Sequence, residues 1–491
     1  MTTLDSFARD YGETVKASLL ATKAIRGFLW NGSASLIQLI TFTVIYASFD
    51  LNSLGSFEWA LSIILLLAII GELGLGAALI QLKTIDELHF STAFWTNVVW
   101  GICLGAIAYL CSSQLGLLLG GEDYHVFGKI LRLMCLIIPL AAVSSVFRAR
   151  LQRDLKFARV ALSEVVSSGC FAAVVGTMLW KFPKFGVMIP VVASVFREAG
   201  LLLSLWVSTR WLPFPSWRWQ SLRELLRFAF NFTGSRTIAY CNSKIAHAFV
   251  FLPLGPSAMA IYSFSERLTL TPLTRLATTI NRVSFPAFSQ IQDSNDLLRS
   301  GYLLAVQSLI ITIGSLLTVI FVFTSEILSL IEMSQAATVL KILVIATFLK
   351  VVGTMVGSVF MAKGKADWSF YWSIFSLATL LPAMYWFGVP HGIEGVATVI
   401  AVSSLLFLLI SQQLANRLIG LRFRDYLRYI SRPILFVVFF LFLLFYARPY
   451  IIGSESNLFG KMVIVTSVIW AVLLRLVVWD FCSVFLKRLR G

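Results

Sequence analysis

A chain of 491 residues with 58% hydrophobic and only 13% charged side chains falls far below the roughly 25% charge of a soluble domain, and its mean hydropathy is +0.84. Those values exclude a soluble globular fold. They also exclude a membrane barrel, because the apolar residues run in long blocks instead of alternating over about ten positions.

Residues 1–26 mix Asp5, Asp10 and Glu13 with Arg9, Lys16, Lys23 and Arg26, without the short apolar core and small-residue cleavage site of a signal peptide. They read as a cytoplasmic segment in which residues 4–20 can form a surface-lying amphipathic helix. Apolar runs of about 20 residues, enough to cross roughly 30 Å of hydrocarbon, then begin near 27, 57, 92, 126, 160 and 185 and make a first lobe over 27–208. The basic stretch 209–225, within STRWLPFPSWRWQSLREL, reads as a cytoplasmic inter-lobe linker. Spans from near 226, 257, 302, 336, 369 and 392 make a second lobe over 226–414. A basic cytoplasmic loop at 415–432 leads to two spans in 433–491, from near 433 and 461, and to the KRLR tail. The expected fold is all-α and integral to the membrane, with about fourteen transmembrane helices in two pseudo-symmetric six-helix lobes plus a C-terminal pair.

A formal charge of +16 would suggest nucleic acid in a soluble protein, but here the cations sort by loop. Alternate connections hold nearly all of them, including FRARLQRDLKFAR from Phe147, Lys363 with Lys365, and 417–432. The positive-inside rule then places both termini in the cytoplasm, and no nucleic-acid partner is expected. Sliding the chain against itself by 200 residues pairs Phe28 with Phe228, Asn31 with Asn231, Ser35 with Ser235, and Leu54 and Gly55 with Leu254 and Gly255. That weak repeat falls where a second lobe would begin, as in transporters whose two lobes surround a mid-membrane site.

Charges inside the spans need a partner, water or a job, because a charge at the bilayer centre is costly. In the seventh span Arg236, Tyr240, Ser243 with Lys244, and His247 recur at helical spacing and form one stripe. The eighth repeats the pattern with Glu266, Arg267, Thr271, Thr274, Arg275, Thr278 and Arg282. Arg236 and Arg267 are each about ten residues deep, near the midplane, while Lys244, His247 and Arg275 lie where snorkelling can serve them. Arg197 and Lys350 are also deep. Glu198 is not expected to face Arg197, since consecutive helical residues diverge by about 100°. Glu72, Glu164, Glu198 and Glu266 are the acids in apolar runs, candidates for ion pairing or for proton coupling. One reading pairs these groups off, Glu266 with Arg236 or Arg197 and Glu198 with Lys350. The other leaves cations in excess and a cavity fit for phosphate or carboxylate oxygens.

His89, His125, His247 and His391 are the only histidines, and no pair stands at ligand spacing, so neither metal nor cofactor is expected. No GxxxxGK[ST], GxSxG or HExxH occurs, and no catalytic residue is assigned. The six cysteines, all in or beside spans and without a CxxC, read as buried thiols.

The segments GELGLGAALIQLKTIDELHFSTAFWTN at 71–97, SVFRARLQRDLKFARVALSEVVSS at 145–168 and YSFSERLTLTPLTRLATTINRVSFPAFSQIQD at 262–293 resemble the polysaccharide-flippase branch of the MOP superfamily, in particular Wzx-type exporters of colanic-acid-like repeat units. Where that branch commonly has DLGL, this chain has Glu72, Leu73, Gly74 and Leu75. The resemblance implies a two-lobed bundle in the bacterial inner membrane that flips an undecaprenyl-diphosphate-linked oligosaccharide by alternating access, with a cationic lumen suiting Arg236 and Arg267. The implied partners are the lipid-linked oligosaccharide and membrane lipids, with a polysaccharide polymerase and glycosyltransferases as further candidates. A MATE-like multidrug antiporter is the alternative, for which an acidic lumen would be expected. A membrane glycosyltransferase or polymerase is a third reading, without the large outer loop or carboxylate pair it would need.

Overall fold

The computed structural model describes residues 32–82, 84–119, 124–290 and 294–452, with most side chains of 271–290 outside that description. The expected amphipathic segment at 4–20, the span near 461, Cys482 and both termini lie outside the described residues. The chain divides into two compact units, Met1–Thr279 with Asp367–Ile400, and Ile280–Ala366 with Ala401–Gly491.

The first unit contains α1 (Gly32–Ser48), α2 (Leu51–Gly71), α3 (Leu75–Gln81), α4 (Glu87–Leu110), α5 (Ser112–Leu119), α6 (Tyr124–Met134), α7 (Ile137–Arg153), α8 (Phe157–Lys181) and α9 (Met188–Thr209). It also takes most of α10 (Trp219–Gln290) and α14 (Ala366–Ala383). Capping side chains set two of the starts. Asp50 accepts from the Ser53 N–H at the head of α2, and Asp86 and His89 close a reciprocal box at the head of α4. α2 stops where Leu73 and Gly74 turn left-handed (φ 49° and 65°), so Glu72, expected inside a continuous span, is the capping residue at its end. A Cβ on Gly74 would stand 2.7 Å from the Ala229 carbonyl oxygen, which is why the chain can press this turn against α10.

The expected linker is irregular only over 210–218; its last residues are the first turns of α10. The irregular part is strapped to α4: the Phe214 and Arg218 N–H groups donate to Ser91 and Thr92, Trp217 donates to Thr96, and Trp95 donates to the Phe214 carbonyl. Trp211 joins the core of α3, α4, α7 and α9 and donates to Glu87. Arg150 stacks on Phe90 and Trp211 while pairing with both oxygens of Glu87 at 2.7 Å.

The second unit contains α11 (Asn295–Val322), α12 (Thr324–Ser329), α13 (Ala337–Ala362), the later part of α15 (Gly392–Ile419) and α16 (Phe423–Ile452). Val322, Phe323, Phe440 and Leu444 form a buried cluster between α11 and α16. Beside it Arg448 donates to Glu326, and deeper in the unit Tyr302 donates to Gln412 at 2.6 Å. The expected loop at 415–432 is nearly all helix, with only 420–422 between α15 and α16.

No strand occurs among the described residues, and ten of their helical segments are long and apolar enough to cross a membrane. Two of these, Trp219–Leu270 with 52 residues and Tyr371–Ile419 with 49, are about twice the ~20 residues one crossing needs. Each is interrupted. Gly255 takes φ 85° and ψ 177° inside the sequence PLGP, and 384–391 winds first as a π turn and then as a 3₁₀ turn. Each long segment thus merges two expected spans, those near 226 and 257 and those near 369 and 392. Of the span expected near 27, the described part is the helix Gly32–Ser48. Among the five described cysteines Cys135 alone is buried; Cys103 and Cys111 are exposed on helices whose outer faces are apolar.

Candidate functional site

The first unit's charged side chains meet where α2 crosses both halves of α10. Gly55 lies against the break in α10, and a Cβ on it would stand 1.7 Å from the Pro256 carbonyl oxygen. The glycine pair brought out by the 200-residue offset, Gly55 and Gly255, therefore marks the crossing itself. From there the first half of α10 runs along Ser62 toward Glu72, and the second half presents Glu266 and Arg267.

Three polar contacts succeed one another along α2. Next to the crossing, Arg267 grips Glu58 with two bonds, Nε to Oε1 at 3.0 Å and Nη2 to Oε2 at 2.6 Å. Its guanidinium carbon lies 3.9 Å from the Phe42 ring centre, and the Tyr46 hydroxyl donates to Glu58 Oε1 at 3.2 Å. The Glu58 side chain is 2% exposed and that of Arg267 25%, so this is a bidentate pair whose carboxylate is desolvated.

One turn further, a single Glu266 oxygen receives both Lys244 Nζ and His247 Nε2 at 2.7 Å. The other ring nitrogen of His247 lies 2.8 Å from Ser62 Oγ, which itself lies 2.9 Å from the Glu58 carbonyl. Ser62 has one hydroxyl proton. It either donates to that carbonyl while accepting from a protonated Nδ1, or donates to an unprotonated Nδ1. Turning that hydroxyl lets the cluster accommodate His247 with one proton or two. Tyr240 donates to the Ser62 carbonyl at 2.9 Å and closes the group.

At the far end of α2, Arg236 reaches Glu72 through Nη1 alone. Its side chain is 43% exposed, and that of Glu72 is 15%. Arg236, Tyr240 and His247 thus form the stripe expected from their spacing, and it faces α2.

The remaining expected residues are arranged differently. Arg197 bonds its own neighbour Glu198 at 2.7 Å, contrary to the helical-divergence argument, because the long arginine stem bends back over the turn that separates the two Cβ atoms. Glu266 is not held by Arg236 or Arg197 but by Lys244 and His247. Glu164 makes no ion pair among the described residues and is half-buried on α8. Lys350 is exposed on α13 in the second unit, and the Arg275 side chain lies outside the description. Glu58, with Tyr46, Ser62 and Phe42, was missed. The rule that singled out Arg267 applies equally to an acid in GSFEWALSIILL, and with Glu58 counted, Arg197, Arg236, Lys244 and Arg267 each have a carboxylate.

The described residues form a helical bundle with membrane-length spans and ionised groups held between them. The chain belongs to the family described as "Polysaccharide biosynthesis protein", which it matches over residues 51–331. It is 28% identical over 436 residues to the "Lipopolysaccharide biosynthesis protein WzxC" of Escherichia coli (strain K12), covering 85% of this chain and 87% of that one. Its fold is similar to that of the lipid II flippase MurJ in an inward closed conformation, with TM-score 0.71 at 14% identity over 94% of this chain and all 100% of that one. It is also similar to an inward-facing multidrug resistance MATE family transporter of the MOP superfamily, with TM-score 0.63 at 16% identity over 80% and 98%. The chain is a multi-pass membrane protein whose fold is similar to that of these transporters.

Proposed function

We propose that the protein is a flippase that carries lipid-diphosphate-linked oligosaccharide repeat units across the bacterial inner membrane for surface polysaccharide assembly. It acts as a transporter and not as an enzyme. The observation that carries the reading is the state of Arg236: deep in a span by sequence, tied to Glu72 through one nitrogen, and otherwise presented. A guanidinium has five N–H donors, so a diphosphate can take the uncommitted ones or displace the carboxylate. Arg197, Lys244, Arg267 and, from its sequence depth, Arg275 are the other proposed cargo cations of the first unit, and Lys350 is that of the second. The MurJ-like fold and the kinship with a lipopolysaccharide biosynthesis protein support a sugar-bearing lipid as cargo.

In this reading residues 27–208 and 226–414 are two lobes that rock about the cargo, the linker 209–225 and loop 415–432 are cytoplasmic, and both termini are cytoplasmic. Proton coupling resides in the Lys244, His247 and Glu266 cluster, with Glu72, Glu164 and Glu198 as the other acids available to it. A polysaccharide polymerase and glycosyltransferases are the proposed protein partners.

The test is leaflet exchange of a fluorescent undecaprenyl-diphosphate oligosaccharide in sealed proteoliposomes. The parent protein moves the label, and a folded Arg236→Gln variant moves it more slowly by about tenfold or more. Equal transport by the two would remove Arg236 from the cargo path, and no transport by the parent under any ion gradient would reject the cargo.

A further inference from the structure

The three-residue turn between α15 and α16 is held firmly. Gly420 takes a left-handed φ of 65°, and the Leu421 N–H returns to the Asn416 carbonyl at 2.8 Å, closing α15. Arg299 from α11 donates to the Ile419 carbonyl at 2.6 Å, and Tyr426 is buried with its ring stacked near Phe423. On this fixed base lies a cleft of about 470 Å³ lined by Arg422, Arg424, Asp425 and Arg428.

Those arginines are placed against local preference. Arg422 precedes the first residue of α16, where Ser, Thr, Asp or Asn would cap the helix, and Arg424 and Arg428 follow within two turns. Cations at a helix start oppose its dipole, and only Asp425 has the favoured sign. Among the described residues none of the three guanidiniums has a protein acceptor, whereas Arg150, Arg197, Arg236, Arg267, Arg299 and Arg448 each hold a carboxylate. Positive-inside topology accounts for cations anywhere in this connection, Arg417 and Arg432 included, but not for gathering three of them round one cleft on a rigid turn. A local rule broken at a well-ordered place points to a ligand.

We propose that Arg422, Arg424 and Arg428 form a binding site for a lipid-borne phosphate, separate from the α2 and α10 contacts. Arg424 and Arg428 stand between one and three helical turns outside the apolar run that starts at Pro433, which is headgroup depth. Planar guanidinium forks match phosphate oxygens, and the Phe423 and Arg424 N–H groups at the helix start add donors. The phosphate can be that of an anionic membrane phospholipid or the diphosphate of a polyprenyl carrier.

Native mass spectrometry of the full-length protein in detergent, titrated separately with phosphatidylglycerol, undecaprenyl diphosphate and phosphatidylcholine, tests the site without reference to transport. Binding of either phosphate-anionic lipid above phosphatidylcholine supports the site, and which of the two binds identifies the source. Arg422→Gln, Arg424→Gln and Arg428→Gln each weaken that binding about fivefold, the factor one cation contributes near an anionic surface. Arg417→Gln, the same charge loss in the same connection, leaves it unchanged. Arg424→Lys, which keeps the charge and loses the fork, falls between parent and Arg424→Gln. Equal weakening by Arg417→Gln and Arg424→Gln would reduce the effect to diffuse charge and overturn the proposal, as would no preference for either anionic lipid over phosphatidylcholine.

Discussion

Arg267 and Arg236 sit on one long helix and each reaches a glutamate on α2, yet the two pairs differ in kind. Arg267 uses two nitrogens, stacks on Phe42 and faces a Glu58 that is 2% exposed. Arg236 uses one nitrogen, stacks on no ring among the described residues, and its side chain is 43% exposed. A bidentate desolvated pair is costly to open, because either partner alone is a buried charge. A half-exposed single contact exchanges readily. Depth in a span therefore does not by itself set how firmly a cation is held; the number of its bonds and its burial do.

Breaking the buried pair has the largest expected effect. Glu58→Gln strands the Arg267 charge and costs about 3–5 kcal/mol, read as a large drop in the melting temperature of the detergent-solubilised protein. Replacing both partners together, Glu58→Met with Arg267→Met, restores most of that loss, since two apolar side chains then replace two charges. A small effect of the single change would put Arg267 in the same class as Arg236.

The crossing that serves both pairs is tested by Gly55→Ala. The added Cβ meets the Pro256 carbonyl, and pushing α2 off α10 costs about 1–3 kcal/mol while lengthening the Arg267 and His247 contacts together. A melting curve that matches the parent's would show that the helices give way there without strain.

Arg236→Gln sharpens the comparison from the other side. It changes stability by less than about 1 kcal/mol but slows transport about tenfold or more, the loss of a charge-assisted bond to phosphate. Glu72→Gln, which frees the guanidinium, tightens binding of a diphosphate lipid. If Glu72→Gln weakens that binding instead, Glu72 positions Arg236 for cargo and does not compete with it.

The smallest effect sets a baseline for a surface carboxylate. Asp86, in the connection between α3 and α4, accepts the His89 N–H, and that bond holds its carboxyl below the usual carboxylate range. Asp86→Ala costs about 1 kcal/mol as a lost cap. Because the folded group titrates below the unfolded value of about 3.9, the stabilisation is fully present above that pH and fades as pH falls through the folded value. Melting temperatures of parent and variant converge in acid.

Much of this was legible along the chain. The spans were readable because about 20 consecutive apolar residues have few alternatives to crossing a bilayer, and the stripe of Arg236, Tyr240 and His247 because helical period alone sets which side chains share a face. The pairing of those charges was not. It depends on which helix lies opposite, and Glu58 was overlooked in a run that otherwise reads as lipid-facing. Arg197 and Glu198 failed for another reason: Cβ directions were considered, and the reach of a long side chain was not.

By itself, then, the sequence determined a helical membrane protein and the presence of charges within its apolar runs, because each follows from local composition and period. Tertiary structure alone decided that Gly55 meets Pro256, that Arg267 is held by two bonds to Glu58 and Arg236 by one to Glu72, and that Arg299 reaches the Ile419 carbonyl at the end of α15. Those are relations between residues far apart in the chain, settled by which helices pack together, and an ion pair exists only once that packing has brought its two halves within reach.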